Sequence, residues 1–389
     1  MNHLLIISDG YPSPGLPYSA FIANMAEEMT RQGVIVNVIA PQSLTKHWLR
    51  RVPLAPRYFT QNIAGKTIHI YRPLSITIGE GRFVFVTQWF NRYVTSRTAR
   101  KLNKPDAVYA HFWLNAVNAI DYVRKHSLPL IVGTGEDKIP IEQINHTDKT
   151  WLYNTVKNVI CVSTKNKQES ITHGLTRDAC CHVLPNAYNP EDFYHEDGVL
   201  IRENLGIKPT DFVVAFCGRW NERKGVFRLD SALKQLNNPY IKAIYIGSPM
   251  DNCKKEPDYA NIAFKGQLPH NEIVHYLNAA DIFVLPSLAE GCPNSTIEAM
   301  ACGLPIVSSD MAFNYDILDS TNSILINPND IDAIANAIQS MLLNTTLCKQ
   351  LSQGALASAS ILRIATRVQK IRHIIQSSIK QNNNEKSNQ

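Results

Sequence analysis

The 389-residue chain has no run of about 18 consecutive apolar residues, which argues against a membrane-spanning helix. It has no C-x-x-C pair and no His/Cys cluster at zinc spacing, so neither a thioredoxin-like motif nor a structural zinc site is expected. All eight cysteines lie beyond residue 160, and adjacent Cys180 and Cys181 make a poor disulfide. The expectation is a reduced cytoplasmic protein with buried thiols, in which the sequons at Asn145, Asn294 and Asn344 are unused. No G-x-x-x-x-G-K-[ST] P-loop occurs, and no G-x-G-x-x-G follows the first strand: "GTGEDK" has Lys138 where the third glycine belongs. That disfavours a nicotinamide dehydrogenase. The opening "MNHLLIISDGYPSPG" lacks a basic n-region and a small-residue cleavage site, so its short apolar run reads as a buried strand rather than a signal peptide. Acid is scarce between Pro41 and Lys104, where twelve Lys or Arg and nine aromatics accompany Glu80 alone. A solvated face is the default for such a run. Its imbalance favours docking on an anionic membrane leaflet, and the lack of any nucleic-acid-binding motif ranks nucleic acid lower.

Apolar residues make up 44% of the chain, enough for two ordinary cores. "HLLIIS", "VIVNVIA", "DAVYAH", "LPLIVG" and "NVICVS" read as buried strands separated by helical patterns, such as "SAFIANMAEEMTRQG" with its glycine stop. The pattern restarts after the hinge-like "LPNAYNPEDF" with "FVVAFCG", "IKAIYIG", "DIFVLPS" and "LPIVSS". Alternating strand and helix implies right-handed crossovers and parallel sheets. The predicted architecture is α/β, two doubly wound Rossmann-like domains spanning 1–194 and 195–365 and facing across a cleft. A last helix is expected over 358–380. Residues 366–389 are expected to pack back on the first domain and to end in a frayed polar tail.

Ligands of such sheets bind at the carboxyl ends of strands. "FCGRWNERKG" leaves a strand there, with Gly218, Arg219, Lys224 and Gly225 preceding a helix. Two cations and a glycine-permitted backbone approach suit a diphosphate, although a solvated loop accounts for the same residues. "AEGCPNSTIEAMACGLPI" places Glu290 in a loop and Glu298 in the first turn of a helix. Ser295-x-x-Glu298 matches a capping box, which explains Glu298 locally but leaves Glu290 unexplained. Amides at the helix start, over Cys292, Pro293, Asn294 and Ser295, offer a cradle for an anion or a hydroxyl. A ligand both anionic and rich in hydroxyls is most simply a nucleotide sugar.

Glu290 and Glu298, within "EGCPNSTIEAMACGLPIV", resemble the E-x7-E signature of retaining glycosyltransferases of family 4, which have the GT-B fold. The resemblance spans nearly the whole chain. "GRWNERKG" is similar to the family's diphosphate clamp, and "FKGQLPHNEIVHYLNAADIFVLPS" to the run leading into the signature. The resemblance implies Arg219 and Lys224 on the donor diphosphate and Glu298 on the ribose. It puts Glu290 beside the transferred sugar, with Asn294 and Ser295 amides nearby, and the backbone of Gln267 and Leu268 at the base. His111 in "YAHFWLN" matches a catalytic histidine facing the sugar, and Gly15 stands where the family has paired glycines. Thr134-Gly135-Glu136-Asp137 replaces the usual His-Gly-x-Asp, leaving Asp137 on the acceptor side. "AFNYDIL" replaces the downstream Gly-Gly-x-x-Glu. The implied activity needs no metal or other cofactor. A nucleotide-sugar co-substrate and a glycan or polyprenyl-diphosphate-linked acceptor are its partners, in surface-polysaccharide assembly at the inner face of the cell membrane. A sugar-nucleotide epimerase of the same fold and a non-catalytic nucleotide-sugar-binding module are the alternatives.

Overall fold

The computed structural model describes residues 1–13, 20–78, 84–249 and 255–387. Gly15 lies outside them. The chain forms two compact units, one of 1–184 with 365–389 and one of 185–364. The changeover comes at Leu184/Pro185, upstream of the expected boundary at 194, because "PNAYNPEDF" packs with the second unit: Asn186 bonds to Cys292 and Phe193 meets His270.

The first unit holds an eight-stranded sheet in the order Cys181–Val183, Asn158–Cys161, Leu130–Thr134, Ala107–His111, His3–Ile7, Ile35–Ile39, Lys66–Tyr71, Tyr58–Ile63. Every pairing is parallel except the last. The central strands are buried along their whole length, as the continuous Val/Ile/Leu runs require of a sheet covered on both faces. The antiparallel edge hairpin turns through Ala64 and Gly65, both at positive φ (48° and 76°), the primed geometry that matches strand twist.

The second unit carries six parallel strands in the order Ile262–Gly266, Ile241–Ile246, Phe212–Cys217, Ile282–Leu285, Ile306–Ser309, Ser323–Ile326. Strand order reverses between Phe212–Cys217 and Ile282–Leu285. In a doubly wound sheet the crevice at such a switch point is where ligands bind. In the first sheet the equivalent reversal falls between His3–Ile7 and Ala107–His111, and His111 ends the latter.

The final helix, Ile364–Ser387, belongs to the first unit from Ala365 onward. Val368, Ile371 and Ile375 form its buried stripe at helical spacing. Ser378 accepts from Asn158 Nδ2 at 2.7 Å, and Asn382 donates to the Ser127 carbonyl at 3.1 Å. The polar "QNNNEK" therefore continues the helix to Ser387 instead of fraying. The segment expected as one helix from 358 is two, with Thr345–Ser360 ending before Ile364.

Candidate active site

Two loops meet at the switch point of the second sheet. The first leaves Phe212–Cys217 and ends in Gly225, which caps the helix Val226–Leu236 at φ 77°. A Cβ on Gly225 would fall 2.1 Å from the Pro286 carbonyl oxygen, so only glycine lets the loops approach this closely. The second loop leaves Ile282–Leu285 and is stitched to the first. Leu288 N–H donates to the Arg223 carbonyl at 2.7 Å, and Ser287 Oγ lies 3.1 Å from the same oxygen. Arg228 adds a bond to the Pro286 carbonyl at 2.8 Å.

This stitching brings Glu290 onto the basic loop. Its Oε1 lies 2.6 Å from Lys224 Nζ and accepts from Ser287 Oγ at 2.7 Å, while its Oε2 is 3.4 Å from Arg223 Nη1. Arg223 Nη1 also donates to the Ala289 carbonyl at 2.6 Å. Glu290 is only 6% exposed, so the pair is held away from water, where it is screened weakly and each charge needs the other. Lys224 is consequently a part-buried, paired group and not the exposed loop cation expected. Arg219 is exposed and has no ionic partner among the described residues.

The helix after the signature loop runs Asn294–Ala301, with Pro293 at the cap and no side-chain cap bond. Ser295 is therefore inside the helix, and the expected capping box does not form: Ser295 has helical geometry and cannot cap. Glu298 then has no local structural duty, and among the described residues its carboxylate makes no hydrogen bond. Burial, and next the nearby Asp192 charge, pushes it up to about 7, with Lys224 pulling the other way. The first amides of the helix remain without intrahelical acceptors. Asn186 ties the loop down, donating to Asn294 Oδ1 at 2.8 Å and to the Cys292 carbonyl at 3.2 Å. Asn186, Ser287 and Arg223 were not singled out from sequence. The contacts of Asn186 and Arg223 cross 60 or more residues and leave no local pattern, whereas Ser287 bonds to Glu290 only three residues on.

Above the ordinary carboxyl value of 4.5 and up to about 7 the folded chain holds a proton on Glu298 that the unfolded chain has lost. Stability attributable to this group therefore falls as pH rises through that window. Glu298→Gln is expected to raise the melting temperature at pH 8 and to change it little at pH 5. Equal shifts at both values would contradict the assignment.

Gln267 and Leu268 follow the edge strand Ile262–Gly266, at the same carboxyl edge but two strands from Phe212–Cys217. In the first unit His111 is buried, packs at 4.1 Å against Phe112 and at 4.7 Å against Phe21, and lies 3.4 Å from Tyr109 Oη through Nδ1. Burial, then the Arg367 charge, holds it down at about 3, so its imidazole is neutral at physiological pH. Phe112, which follows, has φ 75°, a costly conformation for an aromatic residue at the start of the helix Trp113–His126. Glu136 satisfies that helix start: its Oε1 accepts from Trp113 N–H at 2.8 Å, and Oε2 from Thr134 Oγ1 at 2.6 Å and Gly135 N–H at 2.9 Å. Glu136, at the variable position of His-Gly-x-Asp, thus serves as a cap, and Thr134, which stands in place of the histidine, supports it. Asp137 is exposed beside it.

The family model described as "Glycosyltransferase Family 4" matches residues 19–192, and the one described as "Glycosyl transferases group 1" matches 200–357. The chain belongs to the family 4, group 1 glycosyltransferases. It is 26% identical over 357 residues to a putative teichuronic acid biosynthesis glycosyltransferase, TuaC, of Bacillus subtilis, covering 86% of this chain and 88% of the relative. It is 30% identical over 193 residues to a UDP-Gal:alpha-D-GlcNAc-diphosphoundecaprenol alpha-1,3-galactosyltransferase of Escherichia coli, covering 46% and 50%. Among solved structures it resembles Anabaena Alr3699/HepE in complex with UDP and glucose, with TM-score 0.72 and 19% identity over 97% of this chain and all of that one. Sucrose-phosphate synthase from Thermosynechococcus elongatus gives TM-score 0.76 at 17% identity, covering 97% and 99%. The fold of this glycosyltransferase is GT-B, as the reading of the sequence predicts.

Proposed function

We propose that this glycosyltransferase moves a sugar, with retention at the anomeric carbon, from a UDP- or GDP-linked donor to a glycan carried on a lipid diphosphate. The product would be a cell-surface polysaccharide. The observation that carries the donor site is the paired cluster Lys224–Glu290–Arg223 beside open helix-start amides at the switch point. The names of the relatives support the acceptor class. Arg219 and Lys224 take the diphosphate, Gly218 admits it, Glu298 accepts from the ribose hydroxyls, and Gln267 and Leu268 meet the base.

In the reaction the C1–O bond to the diphosphate breaks and a C1–O bond to the acceptor hydroxyl forms on the same face. The acceptor's proton passes to the departing phosphate oxygen, so no side-chain base or metal is assigned. Arg219, Lys224 and the amides of Asn294 and Ser295 stabilise charge growing on the leaving group. Glu290 lies close to positive charge developing on the sugar, with Cys292 and Pro293 shaping the loop. His111 offers the sugar a neutral hydrogen-bonding ring, and Asp137 is assigned to the acceptor. A panel of nucleotide sugars tests this: one should bind and be slowly hydrolysed, and NMR should show the first-formed sugar in the donor's anomeric configuration. Inversion would contradict the mechanism.

We assign membrane docking to the exposed helix Leu44–Arg50 and the segment after it. Trp48 and Leu49 are 71% and 83% exposed, flanked by exposed Arg50, Arg51 and Arg57. Not all of the basic region is available: Arg72 is buried, donating to the carbonyls of Tyr11 and Pro12 at 2.9 and 3.0 Å. Phosphatidylglycerol vesicles should bind the protein while neutral ones do not. Salt of about 0.5 M should release it as the Debye length falls to a few ångströms. Glutamine at Arg50, Arg51 and Arg57 should weaken binding, and salt-insensitive binding would remove the assignment.

A further inference from the structure

His111 ends the strand Ala107–His111, and Tyr109 lies two residues earlier on the same face of that strand. Both are buried, and Tyr109 Oη is 3.4 Å from His111 Nδ1. The neighbouring strand Leu130–Thr134 sets Gly133 opposite His111. A Cβ on Gly133 would fall 1.9 Å from the Tyr109 hydroxyl, so the phenol reaches the histidine only because that position carries no side chain. Phe21 and Phe112 pack against the imidazole at 4.7 and 4.1 Å and restrict its plane. Its other nitrogen, Nε2, has no hydrogen-bond partner among the described residues.

Counting protons fixes which way the bond between them runs. His111 is held neutral by burial and then by the Arg367 charge, so its ring carries one hydrogen. Burial pushes the Tyr109 phenol up to about 12, so it keeps its hydrogen as well. Either Nδ1–H donates to the tyrosine oxygen, or the tyrosine hydroxyl donates to a bare Nδ1. The first choice strands the hydroxyl hydrogen, because among the described residues the Tyr109 side chain bonds to His111 alone. Arg367, whose charge acts on both groups, is a guanidinium and accepts nothing. Glu136, whose charge also reaches the phenol, has its oxygens on Trp113, Thr134 and Gly135. The second choice leaves no buried donor unmade and is favoured for that reason.

We propose that Tyr109 is a positioning residue for sugar transfer: it donates to His111 Nδ1 and so fixes the ring as the tautomer that carries its hydrogen on Nε2. The assignment rests on His111 meeting the transferred sugar, as proposed above, and specifies that it meets a sugar oxygen as a hydrogen-bond donor. A neutral imidazole left to itself offers a hydrogen at Nε2 in one tautomer and a lone pair there in the other. A sugar hydroxyl would then face a mixture of the two. Tyr109 removes the wrong one before the sugar arrives, which is preorganisation of the kind that lowers a barrier rather than tightens nucleotide binding.

Proton–nitrogen NMR correlations of the full chain carrying isotope-labelled histidine read the tautomer, with the His111 signals identified by their loss in His111→Gln. At neutral pH the wild type should show Nε2 protonated and Nδ1 bare. That spectrum decides the direction of the bond whether or not a tyrosine variant folds. Tyr109→Phe should move the ring toward a mixture and lower kcat by about threefold to tenfold, with affinity for free UDP or GDP unchanged. In a His111→Gln background the same change should cost no further turnover, because glutamine has no tautomer to fix. A wild-type ring protonated on Nδ1, or a tautomer unmoved in Tyr109→Phe, would overturn the proposal and leave His111 in the functional reading. An equal loss of turnover from Tyr109→Phe in both backgrounds, the pattern of a residue that only supports the fold, would overturn it too. The expected tautomers alongside a His111→Gln enzyme that turns over normally would instead remove His111 from the reaction, and Tyr109 with it.

Discussion

Glu290→Gln should lower kcat by about a hundredfold or more while leaving affinity for free UDP or GDP equal or higher. The variant keeps the shape and most of the hydrogen bonding from Ser287, but removes the charge that lies 2.6 Å from Lys224. Losing that charge has two consequences. Positive charge developing on the sugar loses its partner, a defect confined to the transition state that appears in kcat. Lys224 is also released from its ion pair, and a donor diphosphate no longer competes with Glu290 for it. Steady-state turnover beside nucleotide titration separates the two effects. A variant that turns over normally, or whose whole defect is weaker nucleotide binding, would place Glu290 outside the chemistry.

Lys224→Ala should cost stability as well as binding, whereas Arg219→Ala should cost binding alone. Removing Lys224 leaves a buried carboxylate with only Arg223, at 3.4 Å, to offset it. An unsatisfied charged group of this kind costs about 1–3 kcal/mol or more. In Lys224→Ala/Glu290→Gln the stranded charge is gone, and much of that loss should return. Denaturant unfolding of the three variants checks the order. If the single and double lysine variants unfold together, the ion pair carries no weight in the fold.

The buried strands were legible because a parallel sheet covered on both faces leaves continuous apolar runs, as in Leu130–Thr134 and Ile306–Ser309. The hairpin Tyr58–Ile63/Lys66–Tyr71 was not. Its edge strand alternates exposed and part-buried residues, only Ile68 and Ile70 of its partner are buried, and its turn uses Ala64 where Asn is the usual signal. The two loops of the proposed donor site could be named from sequence because each follows an apolar strand. Their meeting could not, since it depends on Phe212–Cys217 and Ile282–Leu285 lying side by side in a sheet whose intervening strands run off the other way. The Lys224–Glu290 pair is a product of that topology. Ser295 misled because Ser-x-x-Glu fits a capping box, yet Pro293 takes the cap and leaves Ser295 as the second residue of the helix.

The central claim is that this switch-point crevice holds a nucleoside diphosphate. Calorimetric titration of UDP and GDP into the wild type and into Arg219→Ala/Lys224→Ala/Glu290→Gln tests it most directly. In that variant both proposed phosphate ligands are gone and no buried charge is stranded. Loss of charge-assisted bonds at about 1.5–3 kcal/mol each predicts a drop in affinity of roughly tenfold to hundredfold for whichever nucleotide the wild type binds. A folded variant that binds that nucleotide as tightly as the wild type would contradict the account.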